Sequence, residues 1–260
     1  MNKKLSIITI NYNNLKGLKR TVESVVNQTW REFEYIVIDG GSTDGSAEYT
    51  ESQNDKIDYW VSEPDKGIYN AMNKGIAKAT GEYLLFLNSG DHLFSNEVME
   101  ESHNFLSLQD IIYFNLQVIN ENEKFIKNYP DELSFSYFMK DTLPHPATFI
   151  KREVFDTVGF YDESFTIVSD WKFFIESICK FGSSYIRIDK ILSTFYFDGL
   201  SSSLQNKEII FREKQVVLEL NFSAYIVDND ELNYSKNILS NLRKSKKTQL
   251  LIKLGLLNKF

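Results

Sequence analysis

Residues 82–91 read Glu-Tyr-Leu-Leu-Phe-Leu-Asn-Ser-Gly-Asp, an apolar run that stops in a polar turn ending in a carboxylate. A continuous apolar run of this length predicts a strand that is buried on both faces. Asn88 to Asp91 then form the loop at the carboxyl end of that strand, where ligands bind in open α/β sheets. The alternative is a simple turn, since Asn, Ser, Gly and Asp favour turns for local reasons.

Three earlier segments have the same organisation and favour the ligand-binding interpretation. Short apolar runs at residues 5–10, 35–38 and 57–61 each stop in a polar segment, and apolar residues at helical spacing lie between them. Alternating strands and helices predict right-handed βαβ units in a Rossmann-like, mostly parallel sheet flanked by helices. The carboxyl ends of these strands meet at one edge of the sheet, which brings four polar side chains together: Asn11, Asp39, Asp65 and Asp91.

The alternation continues through a predicted helix at residues 95–106 and ends there. Further on we expect a strand at 111–114, an extended loop where two prolines flank His145, and an amphipathic helix that begins at Ser169 or Asp170. Two short strands are expected after this helix, at 185–188 and 192–197. From Lys207 onward the pattern is helical. The predicted organisation is an α/β domain at residues 1–205, with halves at 1–92 and 93–205, followed by a helical extension at 206–260.

Composition excludes several function classes. The chain has 260 residues and a formal net charge of −7, which disfavours a general nucleic-acid role because surfaces that follow phosphate backbones are basic. The single cysteine, Cys179, excludes an internal disulfide framework and fits a reducing compartment. No apolar run approaches a membrane span, and the run at residues 5–10 is too short for a secretion signal. We therefore expect a cytoplasmic protein.

The end of the chain has a distinct charge pattern. No acidic residue follows Glu231, whereas seven lysines and arginines do. Leucines interleave with these charges, so residues 243–260 predict a short cationic amphipathic helix suited to the inner face of an anionic cell membrane. A solvated charged end or an oligomer contact is the alternative, and the oligomeric state is not predicted.

The polar residues at the strand ends suit a nucleotide-sugar better than a dinucleotide. Neither a Gly-x-Gly-x-x-Gly motif nor a P-loop follows the first strand. The loop there, Asn-Tyr-Asn-Asn at residues 11–14, offers amide and aromatic groups to a base or ribose, and Asp39 can accept hydrogen bonds from either. If Asp91 faces a diphosphate, a divalent cation is needed between their oxygens. Taken singly, each aspartate could instead be a helix cap or turn residue.

Four motifs in order resemble inverting glycosyltransferase family 2, whose members have the GT-A fold. They are SIITINYN at residues 6–13, VIDGGSTDG at 37–45, DKGIYNAMNKG at 65–75 and LFLNSGD at 85–91. The resemblance covers about residues 5–200. It implies that the donor site includes Thr9, Asn11 and Tyr12 at the nucleoside, Asp39 at the base, Asp65, Gly67 and Asn73 along the donor, Asn88 at the ribose, and Asp91 at a Mn²⁺ or Mg²⁺ ion.

Three departures from the family pattern bear on catalysis. Asn88 occupies the place of the usual first acid of an Asp-x-Asp motif, Gly90 a place that is often acidic, and Ser169 the place of Glu in a Glu-Asp pair. The resemblance implies that the Asp of this pair, Asp170, is the base that takes a proton from the acceptor hydroxyl as the anomeric carbon is inverted. Helix capping is the alternative role for Asp170.

Two further residues are predicted on the acceptor side. His145, held in an extended loop by its flanking prolines, is either an acceptor contact or a metal ligand, with an ordinary loop histidine as the alternative. Trp171 directly follows the predicted base and is expected to contact the acceptor.

The implied activity is metal-dependent transfer of a hexosyl or N-acetylhexosaminyl group from a nucleotide-sugar, expected to be a UDP-sugar. The acceptor implied by the resemblance is a glycan or lipid-linked hydroxyl in bacterial surface polysaccharide synthesis, such as lipopolysaccharide or capsule assembly. Two alternatives stay open. A sugar nucleotidyltransferase would normally have a glycine-rich basic loop after the first strand, and a non-catalytic nucleotide-sugar-binding partner would tolerate Asn88 and Ser169.

Overall fold

The computed structural model describes residues 3–120, 123–196 and 204–259. The strands in these ranges are β1 Leu5–Asn11, β2 Phe33–Asp39, β3 Tyr59–Ser62, β4 Tyr83–Phe86, β5 His92–Leu93, β6 Ile111–Ile119, β7 Lys124–Lys127, β8 Thr148–Lys151 and β9 Tyr185–Tyr196. The helices are α1 Leu15–Val26, α2 Ser46–Ser52, α3 Ile68–Lys78, α4 Val98–Ser102, α5 Phe135–Phe138, α6 Arg152–Val158, α7 Ser169–Cys179, α8 Lys207–Asn221, α9 Ser223–Lys244 and α10 Lys246–Lys253.

The described strands form one sheet with the order β3-β2-β1-β4-β8-β6-β9-β5, and β7 pairs with β6. The first four strands are parallel, as their alternation with helices predicts. Asn11 and Asp39 are register partners, as are Asp39 and Ser62, so the polar residues at these three strand ends lie side by side.

The second half of the sheet is mixed. Strand β8 runs antiparallel to both β4 and β6, whereas β9 runs parallel to β6. Short strands at 185–188 and 192–197 were expected as two elements, but β9 continues through both up to Tyr196, and Phe197 lies outside the described residues. The register between β6 and β9 shifts at the exposed residues Asp189 and Lys190, and the two strands stay paired on either side of this irregularity.

The core forms between the sheet and its helices. Strands β1 and β4 are buried along their whole length, as the apolar runs predict. Helix α3 packs closely on β1 because Gly75 has no side chain, and a Cβ there would overlap the side chain of Ile8. The predicted helix at 95–106 is shorter in the structure, consisting of α4 and a 3₁₀ turn at His103–Phe105.

The chain divides into two compact units, the first ending at Glu213 and the second beginning at Lys214. This division lies later than the predicted boundary after residue 205 and falls inside α8. The second unit contains the end of α8 together with α9 and α10. Among the described residues, no helix is long and apolar enough to cross a bilayer.

Candidate active site

Asp39 organises the strand-end edge of the sheet. Its Oδ1 accepts hydrogen bonds from Asn11 Nδ2 at 2.7 Å and Ser42 Oγ at 2.6 Å, and its Oδ2 accepts from the Ser42 backbone N–H at 2.9 Å and Ser62 Oγ at 2.6 Å. Burial alone would raise the pKa of Asp39, but these hydrogen bonds lower it below its ordinary value. Asp39 is therefore an ionised carboxylate that joins the ends of β1, β2 and β3.

The same edge contains a buried acceptor that has no partner in the described part of the chain. Asn11 is 4% exposed, and its Oδ1 makes no hydrogen bond there, while its amide nitrogen is fixed by Asp39. Buried polar atoms are nearly always paired, so such an atom needs an explanation. A ligand N–H or hydroxyl would satisfy it. By contrast, Asp39 has no exposed surface, so a contact with a base would need one of its internal hydrogen bonds to be replaced.

Thr9 and Tyr12 lie in very different surroundings. Thr9 is fully buried and its hydroxyl lies 3.1 Å from the Tyr35 hydroxyl, so the predicted nucleoside contact of Thr9 stays a prediction without exposed surface to support it. Tyr12 is 66% exposed, and its ring is offered to solvent at the end of β1. A Cβ on Gly40 would overlap the Asp65 carboxylate and press on the Tyr12 ring, so Asp65, Gly40 and Tyr12 are packed together.

The segment from Asp65 to Asn73 leads into α3 and then to the second half of the sheet. Asp65 Oδ1 accepts a hydrogen bond from the Gly67 backbone N–H at 2.9 Å, and Gly67 has a φ of 119° that favours glycine. Asn73 is turned away from this edge. Its amide bonds both the backbone N–H and the carbonyl of Tyr161, at 3.0 and 2.8 Å, and donates to Glu163 at 2.9 Å. The predicted donor contact of Asn73 stays a prediction, because these bonds already engage its amide.

Helix α1 supports the loop from Asn88 to Asp91. The Thr21 hydroxyl donates to the Asp91 carbonyl at 2.6 Å and accepts from the Gly90 backbone N–H at 3.0 Å. Arg20 Nη1 donates to the Gly90 carbonyl at 3.2 Å. Gly90 has a φ of 113°, a conformation that disfavours a side chain, which gives a backbone reason for glycine at this place.

A hydrogen-bonded chain joins this loop to the predicted base. Asn88 Nδ2 lies 3.2 Å from His145 Nε2, and His145 Nδ1 lies 3.3 Å from Asp170 Oδ2. The Tyr69 hydroxyl donates to Asp170 Oδ1 at 3.0 Å. The predicted acceptor-side residue His145 therefore contacts Asp170 directly. Three segments that are remote in sequence meet at this carboxylate.

His145 and Asp170 shift each other's pKa. Burial lowers the pKa of His145, but the hydrogen bond and charge of Asp170 and the charge of Asp91 outweigh it and raise that pKa. Burial raises the pKa of Asp170, but the contacts with His145 and Tyr69 outweigh it and lower that pKa. Asp170 is thus ionised at neutral pH and its side chain is 17% exposed, so it can accept a proton from a bound hydroxyl.

Asn88 can adapt to either protonation state of His145. When Asn88 Nδ2 faces the imidazole, His145 Nε2 accepts its hydrogen bond and His145 Nδ1 donates to Asp170. This arrangement corresponds to a neutral imidazole with its hydrogen on Nδ1. Asn88 Oδ1 is buried and makes no hydrogen bond among the described residues. Rotating the amide would bring this oxygen to Nε2, where it can accept from the imidazolium.

The neighbours of Asp170 in α7 have structural contacts. Ser169 is 1% exposed, and its hydroxyl accepts from the Asp162 backbone N–H at 2.6 Å. Trp171 is 2% exposed and its indole N–H donates to the Phe138 carbonyl at 2.8 Å. The predicted acceptor contact of Trp171 therefore stays a prediction, with almost no exposed surface of its ring to support it.

The loop at Asp91 fits a cation that is shared with a ligand. No three His, Cys, Asp or Glu side chains form a preformed metal site in the described ranges. Mg²⁺ in nucleotide sites is held by one or two carboxylates together with substrate phosphates and water. Asp91, which is 6% exposed, and the unpartnered Asn88 Oδ1 are oxygen donors of the required kind. The described residues alone offer too few of them for a closed metal site.

Residues 6–168 match the profile of Glycosyl transferase family 2. The chain belongs to this family. It is 36% identical over 183 residues to an uncharacterized glycosyltransferase of Mycobacterium tuberculosis, a match that covers 68% of this chain and 70% of that protein. It is 28% identical over 216 residues to a PGL/p-HBAD biosynthesis glycosyltransferase of Mycobacterium bovis, covering 80% of this chain and 82% of that one.

Solved structures show that the fold is GT-A. TarS of S. aureus in complex with UDP aligns with a TM-score of 0.62 at 18% identity, covering 74% of this chain. This chain spans 60% of the length of that structure. A mannosyltransferase of Pyrobaculum calidifontis in complex with GDP-Man and Mn²⁺ aligns with a TM-score of 0.56 at 13% identity, covering 75% of this chain and 57% of that one.

Two supporting residues were not predicted as part of the site from the sequence. Tyr69 lies on α3 and reaches Asp170 across 101 positions of sequence, and its only sequence signal is its place in the third motif. Thr21 is an ordinary helical residue by pattern, yet its hydroxyl makes two of the bonds that hold the loop before β5. Only the tertiary fold reveals either contact.

Proposed function

We propose that this glycosyltransferase inverts configuration at the anomeric carbon of a nucleotide-sugar, with Asp170 as the general base. One observation supports this most: the ionised, partly exposed Asp170 carboxylate is held by His145 and Tyr69 and is joined through His145 to the loop after β4. A direct displacement requires a base beside the donor, and the proposed donor site includes the loop after β4.

The proposed step transfers one proton and exchanges one bond. The acceptor oxygen attacks the anomeric carbon from the face opposite the nucleotide, and its proton passes to Asp170 Oδ2 or Oδ1. The bond between the anomeric carbon and the diphosphate oxygen breaks, and the diphosphate leaves with the electron pair. His145 and Tyr69 hold the carboxylate in the ionised form before the step and keep its oxygens oriented.

We propose a UDP-sugar, hexosyl or N-acetylhexosaminyl, as the donor. The unpartnered Asn11 Oδ1 and the exposed Tyr12 ring supply a hydrogen-bond acceptor and a stacking surface for a pyrimidine nucleoside. Asp91 would hold a Mn²⁺ or Mg²⁺ ion, which would offset the charge of the leaving diphosphate. The UDP in the TarS structure and the Mn²⁺ in the mannosyltransferase structure support this choice.

The test is hydrolysis of a panel of nucleotide-sugars by the purified protein, with Mn²⁺, with Mg²⁺ and with chelator. We expect metal-dependent turnover of one donor, reduced at least 100-fold in Asp91→Ala, on the scale of losing a main electrostatic contact to the leaving group. Asp55→Ala, an exposed carboxylate outside the site, is the matched control. Binding of nucleotide without turnover of any donor would instead indicate a non-catalytic partner.

We propose that the acceptor is a glycan or lipid-linked hydroxyl of a bacterial surface polysaccharide, reached at the inner face of the cell membrane. Helix α10 and the residues after it expose Leu250, Leu251, Leu254 and Leu257 among lysines. Exposed leucines on a cationic segment suit insertion into an anionic bilayer surface. One mycobacterial relative is named a PGL/p-HBAD biosynthesis glycosyltransferase, which supports a biosynthetic role for this chain.

Vesicle pelleting tests the membrane contact. We expect the protein to pellet with vesicles of phosphatidylcholine and phosphatidylglycerol, less with phosphatidylcholine alone, and less at high salt. The triple change Leu250→Ser, Leu251→Ser and Leu254→Ser should abolish pelleting. Leu108→Ser, at an exposed leucine of the first unit, should leave it unchanged. Equal pelleting of all variants would reject this contact.

A further inference from the structure

A carboxylate from α8 holds the loop that leads into the helix of the proposed base. Glu213 Oε1 accepts the Thr166 backbone N–H at 2.6 Å, and its Oε2 accepts those of Ile167 and Val168 at 3.0 and 3.2 Å. These three N–H groups are consecutive and lie outside helices and strands. Successive backbone N–H groups that point the same way form an anion site, and here the anion is a side chain of the same chain.

The residues that Glu213 holds are connected directly to Asp170. Val168 precedes the first residue of α7, and Asp170 lies in the first turn of that helix. The Tyr69 hydroxyl shares its one hydrogen between the Ile167 carbonyl and Asp170 Oδ1. The peptide groups around Ile167 are therefore held by Glu213 on their N–H side and by Tyr69 on their carbonyl side.

Loss of Glu213 would remove the hydrogen-bond acceptor that the described residues provide for these three N–H groups. Ile167 and Val168 are buried, at 9% and 2% exposure, so water would not readily satisfy their N–H groups. The rest of the loop is fixed at other points, since Ser169 binds the Asp162 N–H and Asn73 binds Tyr161. Loss of the carboxylate would thus release the few residues immediately before α7 while the remainder of the loop stays held.

We propose that Glu213 is a positioning residue for Asp170, through which α8 completes the active site. This inference rests on the proposed role of Asp170 as the base. It adds to the site a residue of a helix that lies beyond residues 6–168, the range that the family profile matches, and that the sequence alone assigns to a C-terminal extension. Glu213 belongs to the first compact unit, which ends at this residue.

The test compares Glu213→Ala and Glu213→Gln with Glu219→Ala and Glu219→Gln in the full-length protein. Glu219 lies on the same helix and is exposed, so it controls for the loss of a helical carboxylate. We measure kcat for transfer, KM for the donor, and nucleotide affinity, at a temperature where thermal unfolding shows every variant to be fully folded. The glutamine variant keeps the size of the side chain if the alanine variant does not fold.

We expect kcat to fall about 10-fold to 100-fold in the Glu213 variants, since misplacing a reacting group by about 1 Å can cost 100-fold. The donor KM and nucleotide affinity should stay within about twofold of the parent, because Glu213 is bonded to the base-bearing loop and not to the strand-end edge. The Glu219 variants should match the parent. A merely structural role would lower the unfolding temperature and leave kcat of the folded protein unchanged.

Asp170→Asn, measured in parallel, separates this inference from the proposed function. Loss of transfer in Asp170→Asn together with a parental kcat in folded Glu213→Gln would overturn the role of Glu213 alone. Parental turnover in Asp170→Asn would overturn the proposed base, and the role of Glu213 would fall with it.

Discussion

Asp39 and Asp170 are two aspartates that hydrogen bonds keep ionised against the effect of burial, yet their surroundings differ. Asp39 is completely buried, and all four of its hydrogen bonds come from neutral groups at the ends of β1 to β3. Asp170 keeps an exposed edge and is held by a histidine and a tyrosine. The first carboxylate stabilises the strand-end edge, whereas the second has the exposed surface that the proposed general base requires.

Replacing the two carboxylates by amides is the strongest test of this difference. Asp170→Asn should lower kcat for transfer by 100-fold to 10,000-fold, the range for loss of a general base, because an amide does not take up the proton. Nucleotide affinity should be parental, since Asp170 lies outside the strand-end edge. Isothermal titration with UDP and a transfer assay measure the two quantities. A parental rate would show that another group is the base.

Asp39→Asn should have the opposite profile, with its main effect on stability and donor binding. In the asparagine, an amide nitrogen replaces one carboxylate oxygen and cannot accept hydrogen bonds. The groups that donated to that oxygen, from Ser42 and from either Asn11 or Ser62, lose their partner. This loss lowers the free energy of unfolding by about 1–3 kcal/mol. Urea unfolding measures this loss. We expect the donor KM to rise about 10-fold while kcat of the folded protein changes little. A large fall in kcat alone would remove the distinction between the two aspartates.

The difference also explains which part of the site was predictable from sequence. In the parallel half, each polar residue follows its own strand, so the topology alone places Asn11 beside Asp39, and the structure shows them as register partners. The family assignment and the GT-A fold, which rest on the same segments, are confirmed. Periodicity and turn chemistry are local signals, and they suffice where neighbouring strands are also consecutive or nearly so.

The region around the proposed base follows no such rule. Asn88, His145 and Asp170 meet because antiparallel β8 inserts between β4 and β6, an order that periodicity does not specify. Likewise, adjacency in sequence places Trp171 next to the proposed base but does not show that its ring is buried, with its indole N–H bonded to the Phe138 carbonyl. The sequence does not indicate the contact of Glu213, because its partners in the loop are three backbone N–H groups, which any residue type supplies.

A smaller effect is expected from Tyr69→Phe, which removes one of the two side-chain hydrogen bonds that hold Asp170. The ring and its packing remain, so the change deletes only the hydroxyl and its bonds to Asp170 and the Ile167 carbonyl. One such hydrogen bond contributes about 1 kcal/mol, so we expect kcat to fall roughly 5-fold to 10-fold with an unchanged donor KM. Tyr234→Phe, at a tyrosine that is 69% exposed and outside the site, is the matched control, and a similar fall in its kcat would contradict a specific role for Tyr69.

The smallest expected effect is the pH dependence of stability that the His145–Asp170 pair confers. Folding raises the pKa of His145 above 6.5, so the contribution of His145 to stability is complete below pH 6.5 and is lost as the pH rises through the raised value. Folding lowers the pKa of Asp170 below 3.8, so the contribution of Asp170 to stability is present above pH 3.8 and is lost as the pH falls through the lowered value.

The free energy of unfolding that His145→Gln removes should therefore be largest between these two pH limits and shrink toward pH 9. Urea unfolding at several pH values measures it, and in an Asp170→Asn background the contribution of this pair should disappear. Persistence of the full pH dependence there would show that His145 responds to Asp91 or another group instead of its partner in α7.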